Sequence, residues 1–245
     1  MFQIEIADLV IEIHHQFPYV ERQCRNWRLD PVTEKPDMVV CVGKEQIRQE
    51  LLKAEVPVSD GYCESICLYR EIAKRLTDFS AFLMHGAVVE LDGEAYVFTA
   101  KSGVGKTTHT RLWIEYFHGR AEYINGDKPV MRWKDGRLYA YGTPWMGKEG
   151  YGKPGGAPVK AVCFLERGKE NRICLADSRQ IVSRLFHQVL LPEDPSELAL
   201  FLDMIDRMAG SVPFYILRCD ISMEAVRIAY GAMSGDNAVL GEAQR

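Results

Sequence analysis

The spacing of hydrophobic and polar residues over the first eighty positions predicts a small unit of mixed structure. Apolar and polar side chains alternate from Met1 to Ile13, the two-residue period of a half-buried strand. An apolar, β-branched run over 38–42 predicts a second strand, and apolar residues over 62–76 fall near one side of a helix. Prolines, charges and aromatic residues between 17 and 36 indicate irregular structure or short strands. We therefore expect a small N-terminal mixed α/β lobe over 1–80.

The pattern over the second part of the chain, 81–245, predicts strands alternating with helices. An apolar run, a turn at Asp92-Gly93 and a second apolar run over 95–99 predict a hairpin, and a helix follows over 107–117. A further hairpin with an Asp-Gly turn is predicted over 133–141. The remaining strands and helices are predicted, in chain order, at 161–166, 172–176, 177–191, 195–208, 214–217 and 223–233. The fold class is α/β of the mixed α+β kind, and we expect a loose tail from Gly235 onward.

The segment between strand 95–99 and the next helix carries a phosphate-loop pattern. Residues Ala100 to Thr107 read AKSGVGKT, which matches Gly-x-x-x-x-Gly-Lys-Ser/Thr with alanine in the first place. Gly103 and Gly105 allow the backbone to turn its N–H groups around phosphates, Lys106 supplies a positive charge, and the Thr107 hydroxyl suits magnesium. The alternative is a glycine-rich surface turn, but the flanking strand and helix favour a nucleotide site. The predicted nucleotide-binding residues are Ser102, Gly103, Val104, Gly105, Lys106, Thr107 and Thr108.

A carboxylate follows the next predicted strand. Tyr123-Ile124 is a short apolar strand that ends in Asn125-Gly126-Asp127. A carboxylate at a strand end beside a phosphate loop commonly shares magnesium with the loop hydroxyl. Asp127 is therefore the predicted metal ligand together with Thr107. The alternative is a turn-forming aspartate in an Asn-Gly-Asp hairpin.

The longest stretch rich in glycine and proline covers residues 142–157. It contains lysines, a glutamate and a tyrosine, and Trp145 is a candidate anchor. Long loops in compact domains are often functional. A lid that closes over phosphates has this composition, and so does a mobile surface loop.

Composition and charge narrow the class of protein. The 245 residues are 47% hydrophobic and 26% charged, with a net charge of −4, so there is no electrostatic reason to expect nucleic acid or an anionic membrane as partner. The seven cysteines are scattered and several lie in apolar runs, as in a reduced cytosolic protein. The N-terminal residues do not have a signal-peptide pattern, and no apolar run approaches membrane-spanning length. We therefore expect a cytoplasmic protein.

Residues 80–130 resemble the core of a known enzyme family. The run Met84-His85-Gly86-Ala87, a turn, an apolar strand and then SGVGKT are similar to the HPr serine kinase/phosphorylase family, part of the phosphoenolpyruvate-carboxykinase-like group. The resemblance implies a P-loop kinase core with a mixed sheet, ATP and Mg²⁺ as cofactors, and possible homo-oligomers. It also implies that His85 lies in the active site near the phosphates. Asp127 looks like the second member of the aspartate pair with which that family holds magnesium and activates its acceptor serine.

Two departures from the family pattern bear on the substrate. Gly126 stands in place of the first aspartate of the pair, and residues 142–157 replace the arginine- and glycine-rich signature that follows it. Both departures argue against HPr as acceptor and against the phosphorylase half-reaction.

The sequence favours a Mg-ATP-dependent kinase that transfers a γ-phosphoryl group to a hydroxyl of a peptide, protein or small metabolite. Lys106 and the magnesium held by Thr107 and Asp127 would stabilise charge on the phosphoryl oxygens, and Asp127 or His85 would accept or orient the acceptor proton. The alternative for His85 is a strand histidine bonded to backbone. The alternative function is a non-catalytic or slowly hydrolysing nucleotide-binding module that regulates a partner. A third candidate, a carboxykinase acting on a small acid, lacks residues for a second metal. The phosphate loop does not distinguish ATP from GTP.

Overall fold

The computed structural model describes residues 1–33 and 35–235, so the tail expected from Gly235 onward lies, apart from Gly235 itself, outside the described residues. Short 3₁₀ helices occur at Arg25–Trp27 and Leu76–Phe79. The α-helices are α1 (Pro18–Cys24), α2 (Lys44–Leu52), α3 (Asp60–Arg75), α4 (Lys106–Tyr116), α5 (Ser178–Leu185), α6 (Pro195–Ser211) and α7 (Met223–Ser234). The strands are β1 (Phe2–Ile6), β2 (Leu9–His14), β3 (Met38–Cys41), β4 (Ala81–Leu83), β5 (Ala87–Leu91), β6 (Glu94–Thr99), β7 (Ala121–Asn125), β8 (Val130–Lys134), β9 (Arg137–Tyr141), β10 (Gly156–Arg167), β11 (Arg172–Leu175) and β12 (Phe214–Cys219).

The N-terminal residues form a three-stranded sheet, which corrects the prediction of a single strand from Met1 to Ile13. β1 and β2 pair in antiparallel register around a tight turn, and β3 joins β2 in parallel. The turn residues Ala7 and Asp8 have φ values of 55° and 56°. Both residues therefore adopt the left-handed conformation that a two-residue hairpin turn of type I′ requires. Alanine is not typical of such turns, so the sequence pattern did not reveal it.

The segment 17–36 was expected to be irregular or to form short strands, but it contains α1. Pro18 occupies the first turn of this helix, where a missing backbone N–H costs nothing. The buried Glu64 carboxylate accepts hydrogen bonds from the backbone N–H groups of Gln16 and Phe17, at 2.6 and 2.9 Å. These bonds from a residue on α3 fix the entry of the chain into α1. The helix therefore depends on a partner that is distant in sequence.

The main sheet confirms the predicted mixed α/β fold with flanking helices. Its strand order is β4-β8-β9-β10-β6-β5-β7, and β12 lies beside β10 with β11 beside β12. The first residues of β10 pair with β9, and the rest pair in parallel with β6 on one side and β12 on the other. The carboxyl ends of β6, β10 and β12 therefore meet at one edge, the usual place of a ligand site in such sheets.

Helices cover both faces of this sheet. Tyr96 and Phe98 of β6 belong to a core that includes residues of α4 and α7, whereas the alternate residues Ala95 and Val97 belong to a core that includes residues of α5 and α6. A third core joins α1–α3 and the small sheet to β4, β8 and Trp145. The division of the chain at residue 80 stays a prediction. No helix in the described ranges has the length and apolar character needed to cross a membrane.

The helix predicted over 177–191 is shorter than expected because α5 ends at Leu185. The backbone of Gln188 accepts a hydrogen bond from His85 N–H at 2.6 Å, and Val189 pairs with Met84. This pairing withdraws the residues after α5 from the helix. It also ties them to the segment that contains His85.

Candidate functional site

The sheet topology brings three separated parts of the sequence to one edge. β5 runs antiparallel to β6, with Ala87 opposite Phe98, and also antiparallel to β7, with Val88 opposite Asn125. The residues before β5, after β6 and after β7 therefore lie at the same end of the sheet. These residues are His85, the phosphate loop and Asp127.

The phosphate loop has the backbone geometry that its glycines predict. Gly103 and Gly105 have φ values of 79° and 121°, and no atom lies within 4 Å of a Cβ built on either residue. Glycine is thus required by the backbone conformation and not by crowding. α4 begins directly at Lys106, so the N–H groups of its first turn are available at the loop.

Lys106 extends back along the loop. Its Nζ donates a hydrogen bond to the Ala100 carbonyl oxygen at 3.1 Å. Burial lowers the pKa of this ammonium; the Asp127 charge opposes the shift and the Lys128 charge adds to it. No residue of the described ranges forms a hydrogen bond with the hydroxyl of Thr107 or Thr108. Ser102 is exposed and Val104 half-buried on the outer part of the loop.

Asp127 lies between two basic side chains. Its Oδ1 is 3.2 Å from His85 Nε2, and its Oδ2 is 3.5 Å from Lys128 Nζ. Burial raises the pKa of the Asp127 carboxyl, but the hydrogen bond from His85 and the charges of Lys128 and Lys106 outweigh it, so the net pKa lies below its ordinary value. An ionised carboxylate only accepts hydrogen bonds, so Asp127 can pair with the His85 tautomer that has its proton on Nε2.

Sequence reasoning missed Lys128 because no local pattern distinguishes it from other surface lysines. Its side chain is only 20% exposed. Burial lowers the pKa of the Lys128 ammonium, and the Asp127 charge opposes this shift. The cluster thus has one carboxylate among three basic side chains, which gives it the positive balance expected of a polyphosphate site.

Asn125 is a second residue that sequence reasoning missed as part of the site. It is fully buried, and its Oδ1 accepts from the backbone N–H groups of Asp127 and Lys128 at 2.9 and 2.7 Å. Its Nδ2 donates to the carbonyl and hydroxyl oxygens of Thr143. Asn125 thus makes the side-chain bonds that form the turn, and the Asp127 side chain faces His85 instead.

The backbone of His85 is held on both sides. Its carbonyl oxygen accepts a hydrogen bond from the Thr99 hydroxyl at 2.8 Å, and the adjacent Gly86 N–H donates to the Asp127 carbonyl oxygen at 3.0 Å. The imidazole ring itself contacts the Asp127 carboxylate and is 28% exposed. The side chain is therefore placed toward the cluster by main-chain bonds that do not use its ring.

The segment 142–157 packs against the rest of the protein over most of its length. Trp145 is the anchor that the sequence suggested: it is 7% exposed, and its Nε1 donates to the Ser65 hydroxyl at 2.9 Å. Tyr151 stacks on Tyr123 with ring centroids 4.6 Å apart. Residues 147–150 form an exposed turn within it. Whether this turn closes over bound phosphates stays a prediction.

Gly126 lies under this segment with no room for a side chain. A Cβ at this position would lie 2.9 Å from the Met146 carbonyl oxygen and 3.2 Å from that of Tyr151. Both neighbours are backbone atoms, which cannot move aside like the end of a flexible side chain. The packing of 142–157 therefore leaves room only for glycine at position 126.

We expect Gly126→Ala to lower the free energy of unfolding by about 1–3 kcal/mol, as overpacking does elsewhere. Urea denaturation measures this difference. Gly210→Ala is the matched control, because Gly210 lies in α6 with open space around its Cα. Alanine at this position should raise the free energy of unfolding by up to about 1 kcal/mol. Equal stability of the Gly126→Ala variant and the wild type would show that the segment moves to admit a side chain.

Two cavities lie on either side of the phosphate loop. One, of about 590 Å³, is bounded by the start of α4 and by the ends of β10 and β12; its lining includes Thr108, Leu112, Leu165, Asp220 and Ile221. The other, of about 400 Å³, lies between the first loop residues, the end of β10 and the end of α5; its lining includes Ala100, Lys101, Phe164, Arg184, His187 and Gln188. The site therefore has separate spaces beside the start and the end of the loop.

Comparisons with known proteins do not assign the chain to a family. No family model matches it, and no curated protein matches it. Among solved structures, the chain is similar to one described as the Hpr(Ser) kinase/phosphatase from Coxiella burnetii, at 7% sequence identity and a TM-score of 0.35. The similarity covers 65% of this chain and 98% of the other. A similarity at this level carries no argument about function, which has to rest on the residues described above.

Proposed function

We propose that this chain is a Mg-ATP-dependent phosphotransferase that moves a γ-phosphoryl group to a hydroxyl of a peptide, protein or small metabolite. One observation carries the proposal. A glycine-dependent phosphate loop meets, at one sheet edge, a carboxylate held between His85 and Lys128. Phosphoryl transfer needs charge neutralisation and positioning, and this cluster supplies groups for both.

The loop residues fit a polyphosphate. The positive φ values of Gly103 and Gly105 and the free first turn of α4 present backbone N–H groups, which bind anions at helix N-termini. Lys106 would neutralise charge on the outer phosphates. The cavity of about 590 Å³ extends from the loop residues 103–105 and has apolar walls at Leu112 and Leu165, which suits a nucleoside.

Two oxygen ligands are available for magnesium. The Thr107 hydroxyl makes no hydrogen bond to the described residues, and hydroxyl and carboxylate oxygens suit this cation. Of the two Asp127 oxygens, Oδ1 lies 3.2 Å from His85 Nε2, whereas Oδ2 has the longer 3.5 Å approach of Lys128 Nζ. We assign Thr107 and Asp127 Oδ2 as the residues that would hold the ion.

The geometry favours His85 over Asp127 as the proton acceptor. When bound, Mg-ATP supplies the transferable phosphoryl group. The lowered pKa of Asp127 makes its carboxylate a weak base. His85 Nε2 lies 3.2 Å from Asp127 Oδ1, and in the tautomer with the proton on Nε2 the lone pair of the neutral ring is on Nδ1. Asp127 would orient the imidazole, and His85 Nδ1 would take the proton of the acceptor hydroxyl.

The cavity of about 400 Å³ is our assignment for the acceptor. Its wall residue Gln188 is 7% exposed, and its side-chain oxygen has no hydrogen-bond partner in the described ranges. Leaving such a buried acceptor unpaired costs about 1–3 kcal/mol, so a ligand that donates an N–H or O–H would be favoured. Because the Gln188 carbonyl bonds to His85 N–H, a molecule in this cavity would lie beside the segment that holds the proton acceptor.

Calorimetric titration of the intact protein with ATP, GTP and ADP, with and without magnesium, tests the proposal. We expect magnesium-dependent binding of ATP, followed by acceptor-dependent release of ADP when hydroxyl compounds and peptides are added. If the folded protein binds no nucleotide, the proposed function is wrong.

A second function is favoured by the small number of acidic groups at the site. Both oxygens of Asp127 already face basic side chains, and no group of three potential metal ligands among His, Cys, Asp and Glu occurs in residues 1–33 and 35–235. A module that binds nucleotide and hydrolyses it slowly, or not at all, would need no further acidic groups at the site. Tight ATP binding without ADP release for any acceptor would support this regulatory function.

A further inference from the structure

Arg167 holds the outer side of the phosphate loop. This residue ends β10, and its guanidinium Nη2 donates to the Gly103 carbonyl oxygen at 2.5 Å while its Nε donates to the Val104 carbonyl oxygen at 3.3 Å. The two bonds join residues more than sixty positions apart in sequence. Arg167 also lines both cavities beside the loop.

The bonds to two successive carbonyl groups determine where the corresponding N–H groups point. In a trans peptide the N–H is directed opposite to the carbonyl of the same unit. With the Gly103 carbonyl held outward, the Val104 N–H is directed inward and donates to the Lys101 carbonyl oxygen at 3.3 Å. With the Val104 carbonyl held outward, the Gly105 N–H is also directed inward, and no described residue accepts a hydrogen bond from it.

We propose that Arg167 is a positioning residue that preorganises the phosphate loop for anion binding, and does not itself bind phosphate. This inference rests on the proposed nucleotide site. Glycine makes the loop conformation possible but also leaves it free to rearrange, since glycine populates many backbone conformations. A planar guanidinium restrains two peptide units through a fixed fork of donors, whereas an ammonium group is a point charge on a flexible stem and lacks this fixed geometry.

The end of β10 places the guanidinium. Arg167 lies opposite Cys219 in the parallel pairing of β10 with β12, and the next residue, Gly168, donates its N–H to the Cys219 carbonyl oxygen at 2.9 Å. The end of β10 therefore lies beside the phosphate loop, which follows the neighbouring strand β6. The anchor for the loop is therefore part of the sheet and not of another loop.

The test compares wild type with Arg167→Gln and Arg167→Lys, and with Arg172→Gln as matched control. Arg172 is an exposed arginine nearby, and its one ion pair among the described residues is with Glu170. Backbone ¹⁵N relaxation of the nucleotide-free proteins reports the mobility of the Val104 and Gly105 amides, and calorimetry reports affinity for ADP and ATP. Thermal unfolding checks that each variant is folded.

We expect both Arg167 variants to lower the order parameters of these two amides and to weaken ADP and ATP binding alike, by about tenfold, the size of one lost hydrogen bond to a charged group. Arg172→Gln should change neither the order parameters of these amides nor the affinity for ADP and ATP. Unchanged loop amides in Arg167→Gln would overturn the inference, even if no protein in the series bound nucleotide and the proposed function had failed. Full recovery of affinity in Arg167→Lys would also overturn it, because charge alone would then explain the effect.

Discussion

We expect Lys106→Ala to lower the affinity for ATP by about two orders of magnitude, because a hydrogen bond to a charged group contributes about 1.5–3 kcal/mol. Lys106 is the loop cation whose Nζ is held against the Ala100 carbonyl, inside the curve of the loop. Its replacement removes the charge that would face the outer phosphates and leaves the backbone N–H groups in place. Calorimetric titration of the variant with Mg-ATP measures the loss. We expect a smaller loss for AMP, which lacks the outer phosphates.

Lys101→Ala is the control for this variant. Lys101 belongs to the same loop, but it is exposed, and no described residue forms an ion pair with its ammonium group. A charge this exposed contributes little to a specific contact. Equal losses for Lys101→Ala and Lys106→Ala would mean that the loop attracts ATP by general positive charge, and the assignment of Lys106 would then be wrong.

We expect Asp127→Asn to lower the rate of the proposed phosphoryl transfer by about 100-fold or more, because proton transfer by His85, which Asp127 would orient, contributes about this much. The amide keeps the size of the carboxylate but loses its charge, so it holds magnesium less well and no longer stabilises a protonated His85. ADP release in the presence of an acceptor measures the rate. If no acceptor is known, the rate of slow ATP hydrolysis is measured instead. Nucleotide binding without magnesium should persist, because the loop and Lys106 are unchanged.

Asp135→Asn is the matched control for this substitution. Asp135 lies in the exposed Asp-Gly turn between β8 and β9 with a φ of 49°, a conformation that asparagine also tolerates. The rate and the magnesium dependence should remain those of the wild type. If Asp127→Asn behaved like Asp135→Asn, Asp127 would have no part in catalysis, and the regulatory function would be the better description.

Where the structure agrees with the sequence pattern, the determining contacts are local. The hairpin of β5 and β6 turns at Asp92 and Gly93, whose φ values are 52° and 80°, as the Asp-Gly pair predicts. α3 begins after Ser59, whose hydroxyl accepts from the Tyr62 N–H at 3.2 Å. Each feature depends on residues within four positions of one another. Such features can be read from a single sequence.

The two N-terminal predictions that were wrong concern features without a local signal. The turn at Ala7 and Asp8 contains no glycine, so the sequence pattern of this hairpin was the same as that of one long strand. Pro18 was interpreted as a sign of irregular structure, although a proline in the first turn is compatible with a helix. The buried Glu64 that receives this helix is more than forty residues away. Tertiary contacts decided both cases.

The sequence by itself determined the conformation of the loop 100–107, because the two glycines, the lysine and the threonine that define the pattern are neighbours in the chain, and their conformational properties act over a few residues. Only the tertiary structure decided what surrounds the loop. Lys128 beside Asp127, the Asn125 turn, the crowding over Gly126 and the Arg167 bonds all depend on how β5, β6, β7, β10 and the segment 142–157 come together. Hydrogen bonds and steric contacts between such distant residues exist only after the sheet has formed, and no pattern of neighbouring residues encodes them.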